Sequence, residues 1–148
     1  MPEPYCLAMV LCDGIHRDAT TGKYTILGTF STLGAIQFPA QVSFCVYFSV
    51  TDGLGPTELY LRIVDASCDI ADGSGQDEGV VCRTPPWAVE FVDPLMVLEV
   101  ASAIRLILPR PGLYHCELWA GNDLLMSRRL LAIQGKAERP IDEGGSNA

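Results

Sequence analysis

Apolar and polar residues alternate along most of this chain with a period of two, the signature of strands with one face in a core. In QVSFCVYFSV, Val42, Phe44, Val46, Phe48 and Val50 fall on one face, and Gln41, Ser43, Cys45, Tyr47 and Ser49 on the other. TELYLRIVD repeats the pattern, with Leu59, Leu61 and Ile63 inward and Glu58, Tyr60 and Arg62 outward. KYTILGTFST groups Tyr24, Ile26 and Phe30, with Gly28 where a bulge or a close backbone approach fits. YCLAMVLCD is more uniformly apolar, as a central strand covered on both faces would be. A short buried helix is the other reading of that run; its length favours strand, while its Leu, Ala and Met content does not.

Further strands are predicted at AVEFV, LMVLEVASAIRLIL, GLYHCELWA and DLLMSRRLLAI. The last two flank AGND, a tight turn of the kind that joins hairpin strands. The stretch Leu95 to Leu108 is long for one strand, and a break is predicted near Ser102. Pro and Gly punctuate at strand-sized intervals (FPA, DGLGP, DGSG, TPPW, PRPG), and no amphipathic helix or internal repeat is visible. About eight short strands spaced in this way read as an all-β, two-sheet antiparallel sandwich, immunoglobulin-like in style. Residues 1–136 form the expected single domain, and residues 137–148, which lose all apolar periodicity, the expected mobile tail.

One detail sharpens the sandwich reading. In PGLYHCELWA, Tyr114 lies two residues before Cys116 and just after a Pro-Gly bend, which resembles the tyrosine corner of immunoglobulin-like sandwiches. Its hydroxyl is expected to bond nearby backbone. Cys45 sits opposite the Phe-Val stripe of its strand, so an intersheet Cys45–Cys116 bridge is not expected.

Composition narrows the functional classes. The net charge of −8 argues against nucleic acid and anionic membrane as partners, since both require a basic face. The N-terminal apolar run stops at Asp13 without a basic leader or cleavage site, so the cytoplasm is the expected location. The six cysteines form no C-x-x-C and read mainly as small buried hydrophobes.

Motifs that suggest chemistry do not hold together. HRD (His16 to Asp18) lacks every other kinase element, and TTGK precedes a strand where a phosphate loop needs a helix N-terminus. Both fit a hairpin connector from Gly14 to Lys23. Asp65, Asp69, Asp72, Asp77 and Glu78 are a calcium candidate by oxygen chemistry, but their spacing is not that of an EF-hand and a solvated loop is the leading reading. Cys12 with His16 is a conceivable nucleophile pair, and His115 with Cys116 an awkward one, because neighbours on a strand point to opposite faces. No catalytic residue and no cofactor is expected.

An apolar-Cys-Asp at Cys12 and Asp13 is followed by TGKYTILGTF, then Phe38-Pro39, then Gly112-x-Tyr114. With these signals the sequence, over roughly Ala8 to Ile133, resembles an uncharacterised bacterial family of small all-β domains of unknown function. The resemblance implies a β-sandwich with no assigned activity, and therefore no site residue to transfer. The leading functional expectation is a non-enzymatic intracellular module that binds a protein, or a second copy of itself, through a sheet face or an open edge. Tyr47, Tyr60, Trp87 and Trp119 are its candidate anchors, although ordinary packing is the commoner fate of any one of them. A small-molecule or carbohydrate-binding sandwich, with Trp87 or Trp119 stacking on the ligand, is the alternative.

Overall fold

The computed structural model describes residues 2–67 and 79–135. Among them are ten strands and no helix. They are β1 (Tyr5–Arg17), β2 (Tyr24–Thr29), β3 (Thr32–Ala35), β4 (Ala40–Thr51), β5 (Gly55–Asp65), β6 (Val80–Arg83), β7 (Trp87–Phe91), β8 (Leu98–Leu108), β9 (Gly112–Ala120) and β10 (Asp123–Gln134). One sheet has four strands in the order β2-β1-β4-β8; the other runs β3-β10-β9-β5, and β6 and β7 share the outer edge of β5. The expected sandwich is therefore present, with two more strands than the punctuation suggested.

The alternation explains the layers. Phe44, Val46, Phe48 and Val50 of β4 are buried against Leu59, Leu61 and Ile63 of β5, while Tyr60 and Arg62 face outward. Tyr114, Cys116 and Leu118 of β9 extend the same core, and each large side chain fully removed from water contributes about 1.5–3 kcal/mol. Phe30 and Phe44 meet edge to face, with ring centroids 5.6 Å apart.

Four expectations change. β1 is not covered on both faces: its inner residues Cys6, Met9 and Leu11 are buried, but Tyr5 and Leu7 are exposed. β8 does not break at Ser102; its ladder to β4 runs unshifted from Leu98–Val50 to Leu108–Ala40, so a long partner strand sustains a long strand. β1 continues to Arg17, which shortens the hairpin connector to residues 18–23. The sheets are not wholly antiparallel, because β3 runs parallel to β10. The chain crosses between sheets at Phe30 and Ser31, held by Phe30 N–H to Leu11 C=O on one side and Leu131 N–H to Ser31 C=O on the other.

Strand directions define two ends. The β4–β5 turn, the β7–β8 loop, the β9–β10 turn and the N-terminus lie at one, here the upper end. The β1–β2 turn, the β3–β4 connection and the β8–β9 corner lie at the other.

Candidate functional site

The lower end is built for structure. Tyr114 is fully buried, and its hydroxyl donates to the Arg110 carbonyl at 2.6 Å, which is the expected tyrosine corner. Beside it, Asp65 Oδ1 accepts bonds from the Ser67 N–H and hydroxyl, and Oδ2 is paired with Arg110 at 2.8 Å. Burial pushes the Asp65 carboxyl up, but these bonds and the guanidinium outweigh it and hold the group below its ordinary range. Of the calcium candidates, Asp65 is thus engaged inside the fold, and Asp69, Asp72, Asp77 and Glu78 lie outside the described residues, as does the expected tail.

The fragments that resembled motifs form a turn. Asp18 Oδ1 accepts the N–H groups of Thr20 and Thr21, and the Asp18 carbonyl accepts that of Gly22. Gly22 has the positive φ, 74°, that the turn requires. Cys12 and His16 are not brought together, since four residues along a strand span about 13 Å. Burial raises the Cys12 thiol and pushes Cys116 up to about 12, so neither is poised as a thiolate. The five described cysteines are free, and Cys45 lies on the outer side of its sheet, away from Cys116 in the core.

The four candidate anchors separate. Trp87 turns inward, with its ring 5.6 Å from Phe48. Tyr47 lies on the outer face of the four-stranded sheet, where its hydroxyl donates to Glu99 at 2.6 Å. Tyr60 and Trp119 stack on the outer face of the other sheet, 6.3 Å apart and 6° from parallel. The Arg62 guanidinium stands 4.8 Å from the Trp119 ring and pairs with Glu117 at 2.7 Å, and Glu117 also accepts the indole N–H. Arg83 completes the row over Tyr60. These groups satisfy one another, which makes the row a brace across β6, β5 and β9. On the same face the buried Nδ1 of His115 has no hydrogen-bond partner among the described residues.

The four-stranded sheet carries an open depression of about 400 Å³ lined by Asp13, Ser43, Cys45, Ala103 and Arg105 among others. Gly28 belongs to the same neighbourhood: its φ is 69°, and an added Cβ would collide with the Asp13 carboxylate. A bulge or a close backbone approach was expected at Gly28; the β1–β2 register is unshifted there, and it is the Asp13 side chain that occupies the space.

Sequence reasoning missed a group of exposed apolar residues at the upper end, while Ile36, 85% exposed, lies at the lower end in the β3–β4 connection. Leu95 is 86% exposed and Val92 76%, and Leu54, Val97 and Tyr5 also stand largely in solvent. Their loops are braced. Thr51 Oγ1 donates to the Pro94 and Met96 carbonyls, and the Asp52 N–H to Pro94. Gly53 packs so closely on Phe91 that a Cβ there would lie 2.5 Å from the ring. The segments 2–5, 52–58, 90–99 and 120–124 contain no Lys or Arg, but do contain Glu3, Asp52, Glu58, Glu90, Asp93, Glu99 and Asp123. Loop apolar residues have no periodicity to reveal them, so the signal available was only the pairing of FVDPLMV with DGLGP as two turn regions.

The fold defines a two-sheet, immunoglobulin-like β-sandwich. The chain belongs to a family of unknown function, DUF6941, whose model matches residues 7–133. No curated protein matches it. Among solved structures, a Pseudomonas fluorescens alkylpurine DNA glycosylase bound to abasic-site DNA aligns with 90% of this chain at 7% identity and a TM-score of 0.52. This chain spans only 31% of that one, and the likeness concerns the fold alone. An immunoglobulin-like protein from Pseudomonas aeruginosa aligns over 88% of this chain and 96% of its own, at 13% identity and a TM-score of 0.38. The CARDB domain of a Pyrococcus furiosus protein, in complex with di-metal ions, covers the same shares at 8% identity and 0.39.

Proposed function

We propose that this protein is a non-catalytic binding module that docks another polypeptide on its upper end. The observation that carries the reading is the cluster of exposed Leu54, Val92, Leu95 and Val97 on two mutually braced loops. Large apolar side chains gathered at one place and rimmed by polar groups mark contact surfaces, because leaving them in water costs free energy that a partner recovers. Rigid loops reduce the ordering cost of association. The acidic rim selects the partner: a segment with apolar anchors flanked by Lys or Arg gains attraction, whereas anionic lipid or nucleic acid is repelled. The Tyr60–Trp119 row supports this reading over carbohydrate binding, since Tyr60 and Arg62 already flank the Trp119 ring.

A selection from a displayed random-peptide library tests the proposal. The full chain should enrich peptides that combine Lys or Arg with Leu, Ile or Phe, and a Val92→Ser, Leu95→Ser variant should not. Enriched peptides without basic residues, or binding that survives the substitutions, would refute it.

A further inference from the structure

Three of the sheet edges among the described residues are short or irregular. β3 has 4 residues, β2 has 6 with a positive-φ Gly28, and β6 and β7 have 4 and 5. β8 differs: it is an edge strand of 11 residues, with no Pro, Gly, Lys or register shift along its ladder to β4. Natural sheets ordinarily blunt such an edge, because its unpaired backbone groups invite another strand.

The sequence of this strand is self-complementary about Ser102. Read outward in both directions, Ala101 matches Ala103, Val100 matches Ile104, Glu99 meets Arg105, Leu98 matches Leu106, and Val97 matches Ile107. We infer that two copies of this chain pair through β8, antiparallel and two-fold symmetric at Ser102, to join their four-stranded sheets into one. In that register Glu99 of each copy faces Arg105 of the other, which gives two salt bridges per dimer. Arg105 is exposed and has no hydrogen-bond or ion-pair partner among the described residues, whereas Tyr47 already orients Glu99. Val97 and the 61% exposed Ile107 come together at each outer margin, and the small Ala101 and Ala103 leave room for close approach at the centre. A strand with its charges of one sign, or with bulky side chains at its centre, would not present this match.

The inference is carried by the edge and sequence of β8 and not by the upper-end proposal, although Val97 and Glu99 lie on the margin that the two surfaces share. It has one geometric consequence: a two-fold axis at Ser102 points the two upper ends in opposite directions.

Analytical ultracentrifugation of the full chain across micromolar to submillimolar concentrations tests it. The protein should sediment as a dimer in equilibrium with monomer. Glu99→Lys and Arg105→Glu should each raise the dissociation constant at least tenfold, because each places like charges opposite one another twice. The double variant Glu99→Lys, Arg105→Glu should restore the dimer. Within one copy these residues are six apart on a strand, about 20 Å, so restoration reports contact between copies. Both are exposed, and circular dichroism of the variants checks that the fold is unchanged. A protein monomeric throughout this range, or a dimer indifferent to the single reversals, would overturn the inference.

Discussion

Tyr114, Asp65 and Gly53 each hold the sandwich at a point where one atom matters. Removing the Tyr114 hydroxyl leaves the ring in the core but deprives the Arg110 carbonyl of its 2.6 Å donor. Tyr114→Phe should therefore lower the free energy of unfolding by about 1 kcal/mol in a denaturant titration. Asp65 has a folded pKa below its unfolded value, so its contribution is present above the ordinary carboxylate range and is lost as pH falls through the folded pKa. Asp65→Asn should destabilise the protein at neutral pH, and the gap from wild type should close below about pH 4 in unfolding curves taken across pH. Gly53→Ala forces a methyl group into the Phe91 ring and should cost about 1–3 kcal/mol by the same titration. Tyr114 was legible because its corner is local, a Pro-Gly bend followed by the ring. The Asp65–Arg110 pair was not, since the two are 45 residues apart and only the fold joins them.

Among the elements, the β1–β2 hairpin sets a surface turn against a core contact. His16 and Asp18 are exposed, and Asp18 acts only on its own turn. Replacing both with Ala should leave the unfolding midpoint nearly unmoved. Phe30→Ala should cost up to about 3 kcal/mol, the lower end of the buried-Phe range, because Phe30 is half-buried against Phe44. Strand identity was legible wherever period-two alternation was clean, as in β4 and β5. It failed where tertiary pairing decided the outcome. Nothing local says that β8 continues through Ser102; the unshifted ladder to β4 does. Nor does the uniform apolarity of β1 reveal that Leu7 stays in solvent, where the pairing with β4 shifts register between Cys6 and Ala8.

At the scale of the whole molecule, the two ends have different characters. The lower end carries the tyrosine corner, the Asp65–Arg110 pair and the pinned β1–β2 turn. The upper end brings apolar loops into solvent within an acidic surround. The fold was largely legible in the sequence, but this surface was not, because its residues belong to two loops far apart in sequence whose contact requires β5 and β7 to pair. The aromatic residues that composition favoured as anchors serve as a brace, a core ring and a hydroxyl donor. The most direct test places a photo-reactive leucine analogue at position 95 of the full chain in its native cells, with the same analogue at Leu131 as a control. The account expects cross-links from position 95 to a second polypeptide, mapped to a segment with Lys or Arg beside apolar residues, and far fewer from position 131. Equal cross-linking from both positions, or none from position 95, would contradict it.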